Sequence, residues 1–354
     1  YISYNDDTDI PEHLYKILVQ CANILSKAVH SGWKVLFMIK LSDSTARTAR
    51  FLKFILPLLK AGRFFPYYIK KYDHCAGNGK DVIIPGIGAI SCLASGPDPE
   101  NACAFFFKNR TALDALTRCF NEWLCLYSEP LFKYFPPGES PDFSRRLTET
   151  EDNIGDRFLF KYGFSTLTLS ENLFERLLKK DNPTRSEFAA ASEFHKKRLN
   201  AFLTYMQNYK YKDIYLTDSL KDLIMHKQFR YYGCAGAKLM DMRTQDIIEH
   251  LKNIIRLLET YDNYDIAFIS GNNKRMKEKY DFYCMVKERQ AVIFEILKAP
   301  GTSGWRLSIE EPTLVKAAFN VFDEAWKQIA PVNKDKREII SWLQSQINIL
   351  ESCR

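Results

Sequence analysis

The chain has 354 residues, 46% hydrophobic and 26% charged, and its Lys+Arg 50 against Asp+Glu 43 leave a net charge of +7. That balance excludes a disordered or fibrous chain, and the mild basic excess permits an acidic partner without requiring one. Aromatic residues reach 14% while glycine and proline number only 15 and 14, so the length goes into packed elements, enough for two or three domains.

Apolar residues at Leu14, Ile17, Leu18, Cys21, Ile24, Leu25 and Val29 predict an amphipathic helix over 11–30. The continuous apolar run 33–41 reads as a buried strand, a helix follows over 44–61, and 66–72 reads as a strand. Asn78-Gly79 signals a turn, and 81–85 and 103–108 read as strands before a helix over 111–127. Residues 136–156 gather proline, glycine, serine and charge and read as a linker. Beyond it, 157–169 is expected to form a hairpin pivoting at Gly163, with Ser170 capping a helix to 180. A long helix over 185–209, a strand near 213–220, an aromatic insert at 228–237 and a helix over 244–260 come next. Strands at 265–270, 281–287 and 290–297 precede helices over 312–329 and 335–352.

The nine cysteines are odd in number and contain no C-x-x-C pair, which argues against structural zinc and thioredoxin chemistry. Several lie in apolar runs, so reduced, buried thiols and a cytoplasmic location are expected. The longest apolar candidate, 81–96, is broken by Pro85 and three glycines and reads as a core strand and turn, with no membrane span and no signal peptide. The chain opens on Tyr1 without Met, and a segment before it is expected.

Self-similarity is the clearest long-range signal. FLKFILPLL at 51–59 and HLKNIIRLL at 250–258 share a pattern. Leu116 and Phe120-Asn-Glu-Trp123 answer Ala318 and Phe322-Asp-Glu-Ala-Trp326. The helix–strand pair over 14–41 corresponds to 195–220. We therefore expect an α/β (or α+β) fold with two internally duplicated halves, each a mixed sheet with flanking helices, joined by a small hairpin-plus-helix bridge. The boundaries are 1–140 for the first α/β repeat, 141–184 for the linker and bridge, 185–332 for the second repeat, and 333–354 for a C-terminal amphipathic helix. A cleft between such halves is the default ligand site.

No complete catalytic motif is present. Gly86-x-Gly88 lacks the third glycine of a dinucleotide loop, and Gly77-Asn78-Gly79-Lys80 has the wrong spacing for a phosphate loop. The six histidines are scattered, so neither metal nor cofactor is expected. Arg47, Arg50 and Lys53 lie on neighbouring turns of one predicted helix, with Tyr68 and Lys70 on the strand that follows. Together they are the candidate anion or ligand contacts. A lysine-rich run at 274–279 reads as an exposed loop.

Two resemblances follow from particular residues. His195-Lys196-Lys197 and His250-Leu251-Lys252 resemble the start of the H-x-K-x-x-x-x-D motif of phospholipase D-like proteins, which also have duplicated halves. The Asp position is Phe202 in one and Leu257 in the other, so a catalytically dead relative is what this likeness implies. The segments 47–72, 84–107 and 309–331 resemble the long C-terminal regions of helix-turn-helix transcriptional regulators of Gram-positive (Firmicutes-type) bacteria. That resemblance implies a non-enzymatic sensor, effector-binding or oligomerisation region. Its partners would be a small-molecule or protein effector and further copies of itself, and it would reach DNA only through an N-terminal domain absent from this chain. The alternatives are a degenerate phospholipase D-like hydrolase, a nucleotide-handling enzyme, or a protein-interaction scaffold.

Overall fold

A computed structural model describes residues 1–4, 15–41, 51, 54–55, 58, 63–69, 80–94, 102–135, 140–180, 182–233, 236–270, 281–297 and 305–352. The fold is mixed α/β. It divides into two compact units, Tyr1–Lys133 with Ile309–Ala317, and Tyr134–Ser308 with Ala318–Arg354.

The first unit holds β1 (Ile2–Tyr4), α1 (Tyr15–His30), β2 (Val35–Ile39), β3 (Phe64–Ile69), β4 (Lys80–Ile84), β5 (Gly88–Ala94), β6 (Ala102–Phe107), α2 (Arg110–Tyr127) and β7 (Ser128–Pro130). Its sheet runs β6-β5-β4-β1-β2-β3-β7. Strands β1, β2 and β3 are parallel, and β4, β5 and β6 continue antiparallel. Asn109 caps α2 by accepting from the Ala112 amide. Leu113 and Phe120 then fall on one helix face and pack against Met38, Ile69, Ile83 and Ala89 of the sheet. On the opposite sheet face the register aligns Val82, Ile90 and Phe106, which stay 42%, 43% and 63% exposed.

The second unit opens with β8 (Lys133–Phe135), which begins on the last residue of the first. It continues with α3 (Ser140–Glu151), β9 (Arg157–Lys161), α4 (Glu171–Lys179), α5 (Arg185–Tyr205), β10 (Tyr211–Leu216), α6 (Thr217–His226), β11 (Gln228–Gly233), β12 (Gly236–Asp241) and α7 (Thr244–Thr260). After these come β13 (Tyr264–Ile269), β14 (Asp281–Lys287), β15 (Ala291–Leu297), β16 (Trp305–Ile309), α8 (Pro312–Gln328) and α9 (Lys336–Ser352). The sheet order is β13-β10-β9-β14-β15-β16-β8, and β11 and β12 form a separate hairpin.

Six strands of the two sheets therefore follow one order, and β9, β10, β13, β14 and β15 repeat the parallel and antiparallel partners of β1 to β5. This is a likeness of topology. Segment 51–59, on which the sequence repeat leans, lies mostly outside the described residues, and a duplication is not demonstrated.

Three element readings need correction. The strand expected at 213–220 ends at Leu216, and helix α6 begins at Thr217. The 157–169 segment is not a hairpin: β9 pairs in parallel with β10 and antiparallel with β14, and Thr166–Thr168 makes a single 3-10 turn capped by Ser165. Within the 136–156 linker, 140–151 is helix α3. Pro141 suits its first turn, and Phe143 and Leu147, four residues apart, bury one stripe. That stripe seals Leu159, Met285 and Ile293, the row lying opposite the face on which Phe319 and Phe322 of α8 meet Phe158. The thiols also differ from expectation. Of the six described cysteines, Cys21, Cys103, Cys119 and Cys125 are exposed and only Cys284 is buried. Cys21, Cys119 and Cys125 lie on helix positions turned away from the core.

Candidate functional site

Strand β9 reads Arg-Phe-Leu-Phe-Lys, so Arg157, Leu159 and Lys161 share one face. Charged residues at both ends of one strand face normally mark it as the solvent face. Here that face is inside, and Arg157 and Lys161 are each 1% exposed. The register sets Arg157 between Tyr211 and Lys287, and Lys161 between Tyr215 and Tyr283, with Glu295 beyond Tyr283. One sheet face thus carries a lattice of buried charges and phenols.

Asp213 is the acceptor at its centre. Arg157 Nη2 donates to Oδ1 at 2.5 Å, and the Tyr215 and Tyr264 hydroxyls donate to Oδ2 at 2.8 and 3.0 Å. The Arg157 guanidinium lies between the rings of Phe202 and Tyr211, 4.9 and 4.6 Å from their centres. Burial opposes its charge, but Asp213 holds its pKa above the ordinary value. Burial together with the Asp213 charge pushes the Tyr215 and Tyr264 hydroxyls well up. Lys287 Nζ donates to the Tyr211 hydroxyl at 2.6 Å, and burial followed by the Arg157 charge lowers its pKa to about 7.

Beside this lattice a cleft opens between α3, α5 and strands β9, β14, β15 and β16. The space in it that a water molecule can occupy is about 20 Å³, room for about one water. Its walls include Phe143, Phe194 and Tyr283, and its charged groups are Lys161, Arg198, Arg306 and Glu295. Arg198 is forked onto Glu151, through Nε to Oε2 and through Nη2 to Oε1 at 3.0 Å. Arg306 Nε donates to Glu295 at 2.6 Å, and Lys161 Nζ donates to the Phe164 carbonyl at 2.7 Å.

Of the residues singled out from sequence, Arg47, Arg50, Lys53 and Lys70 lie outside the described residues, as does the 274–279 run. Tyr68 is described. On β3 it faces its register partner Glu129 on β7, donates to that carboxylate at 3.1 Å, and is pushed up to about 12 by burial and by this bond.

The two H-x-K histidines are core residues. His195 is 2% exposed and stacks on Phe174 with ring centres 3.7 Å apart, and His250 is fully buried with Nε2 2.8 Å from the Thr168 hydroxyl. Burial, followed by Arg198 for His195 and by Lys161 for His250, lowers both pKa values to about 3. Neither lines the cleft. Among the described residues, no group of three or more His, Cys, Asp or Glu could hold a metal ion, and no helix is long and apolar enough to cross a membrane.

No protein-family model and no curated protein matches the chain. Among solved structures, NucT from Helicobacter pylori is similar at a TM-score of 0.31 and 11% identity, covering 56% of this chain and 97% of NucT. TrmBL2, an archaeal chromatin protein whose structure shows a novel mode of DNA binding, reaches 0.29 and 12%, covering 68% of this chain and 76% of its own. At such scores neither likeness bears on what this chain does.

Proposed function

We propose that the chain is a non-enzymatic effector-sensing region of a bacterial transcriptional regulator, working in the cytoplasm, with DNA contacted by a domain outside these 354 residues. One observation carries the reading. The second unit keeps Lys161, Arg198, Arg306 and Glu295 in a narrow cleft roofed by Phe143 and Phe194, although burying charge is expensive for stability. A surface that retains such groups at that cost is built to recognise a ligand. Phe143 and Leu147 come from α3 and Phe194 and Arg198 from α5, so a bound molecule bears on two helices at once and has a route to shift their packing.

The test is a thermal-melt screen of the chain against a metabolite library, followed by calorimetric titration of each hit. A ligand that binds only the folded chain raises the melting temperature in proportion to its occupancy. The reading expects at least one hit that is lost when the cleft is filled by Ser144→Trp and is not chemically altered on prolonged incubation. Turnover of a hit would replace this reading with an enzymatic one.

A further inference from the structure

Among the described residues, β6 is the last strand on its side of the first sheet, and it turns apolar side chains to both faces. Phe105, on the face that also carries Phe107, is 46% exposed, and Phe106, on the opposite face in the row of Val82 and Ile90, is 63% exposed. We infer that β6 is a docking edge for the β6 of a second copy of this chain. The two strands pair antiparallel across a twofold axis, and one sheet then runs through both copies. The inference stands apart from the sensor reading, and three observations carry it.

The first is exposure on both faces. A helix or a second sheet laid over this one would reach Phe106 or Phe105 and leave the other in water. A strand added at the edge gives each of them a neighbour, and it also meets the backbone groups that β6 turns away from β5. The second is the other sheet. Strand order matches as far as β16, the counterpart of β6, and there a further strand, β8, lies alongside. This edge of the fold therefore accepts a strand. The third is self-complementarity. Ala-Cys-Ala-Phe-Phe-Phe carries no charge, so two copies meet without like-charge repulsion. Directly opposed residues of an antiparallel pair share a face, so the axis passes through a residue that faces its own copy. With Ala104 or Phe105 on that axis, Phe106 lies opposite the partner's Ala102 or the partner's Ala104, and large meets small. Lys108, whose Nζ lies 5.5 Å from the Phe106 ring centre, then stands at least about 20 Å from its copy at the rise of an extended strand. An edge of this length buries less than the roughly 800 Å² per partner of a standard interface, so the dimer is a weak, micromolar one.

The experiment is sedimentation equilibrium of the full chain under reducing conditions, from low micromolar to a few hundred micromolar, with backbone hydrogen exchange measured at both ends of that range. A monomer–dimer equilibrium is expected, with the amides of 102–107 exchanging more slowly at the higher concentration. Phe105→Lys and Phe106→Lys each set a charge on one face of the edge, the device that keeps natural edge strands apart. Both positions are exposed enough for the fold to tolerate the change, and the melting temperature verifies it. Each variant is expected to weaken the dimer at least tenfold. Ala104→Lys, also at an exposed position, replaces either variant that melts below the parent. The inference is overturned if the chain stays monomeric throughout, or if it dimerises without protecting the β6 amides. It is also overturned if Phe106→Lys alone breaks the dimer, since the copies would then stack face to face, or if both variants dimerise as tightly as the parent.

Discussion

Arg157 reaches diagonally past its register partner Tyr211 to meet Asp213 at 2.5 Å, with both side chains buried. The pair joins β9 to β10 through side chains as well as through the backbone ladder, and two tyrosine hydroxyls complete the carboxylate. Removing one partner strands the other charge. Asp213→Leu is expected to cost about 3–5 kcal/mol, while Asp213→Leu combined with Arg157→Met recovers most of that loss. Urea unfolding of the two variants measures the difference. Equal destabilisation by the single and double changes would show that the pair does not act as a unit.

Lys287 sets a basic-side dependence. Its folded pKa of about 7 lies below the ordinary 10.5, so between these values the unfolded chain binds more protons than the folded one, and stability rises with pH. The expected slope is about 1.4 kcal/mol per pH unit across that window. Lys287→Met should flatten it and make the protein more stable at pH 7. Chemical denaturation at pH 7, 8 and 9 distinguishes the two slopes.

The buried histidines act on the acid side. His195 and His250 are lowered from 6.5 to about 3, so each contributes stability that is complete above pH 6.5 and is lost as pH falls toward 3. Each accounts for about 1.4 kcal/mol per pH unit in that window. His250→Gln, which can still meet the Thr168 hydroxyl, should halve the histidine share of the slope between pH 6 and pH 4. An unchanged slope would mean that His250 is already charged in the folded chain.

The sealed and open rows should differ when cut back. Ile293 is fully buried in the cluster with Phe143 and Leu147, whereas Ile90 is 43% exposed. Ile293→Ala is expected to cost about 2–5 kcal/mol and Ile90→Ala less than about 1 kcal/mol. Calorimetric melts of both variants give the comparison.

Much of the fold could be read from periodicity, and the reasons it failed elsewhere are local. Helix α7 was legible because apolar residues recur without interruption from Ile247 to Leu258, and all of these are buried. Strands β13, β14 and β15 were legible as short apolar runs between turn signals. Helix α3 was not, since its mean composition is polar and only Phe143 and Leu147 mark its inner stripe. Strand β9 was seen as a strand but given a hairpin partner, because partners far away in sequence leave no local trace. The buried lattice escaped for a related reason: Arg-Phe-Leu-Phe-Lys and Tyr-Lys-Asp-Ile-Tyr-Leu look half-exposed by alternation. The clue available was chemical. Asp213 sits among tyrosines whose hydroxyls can satisfy a buried carboxylate, a pattern that outward-facing strands do not need.

Among the described residues, strand β16 in the second sheet is flanked by β8, whereas β6 in the first is terminal, and its sequence Ala-Cys-Ala-Phe-Phe-Phe has neither charge nor proline. Edges of that composition lack the usual protection against pairing with another chain. Together with the open row of Val82, Ile90 and Phe106, this gives the two units unequal cooperativity. The first unit should open at lower denaturant than the second, so heat or urea would remove the structure in two steps, and the early step would be the one from which the protein precipitates.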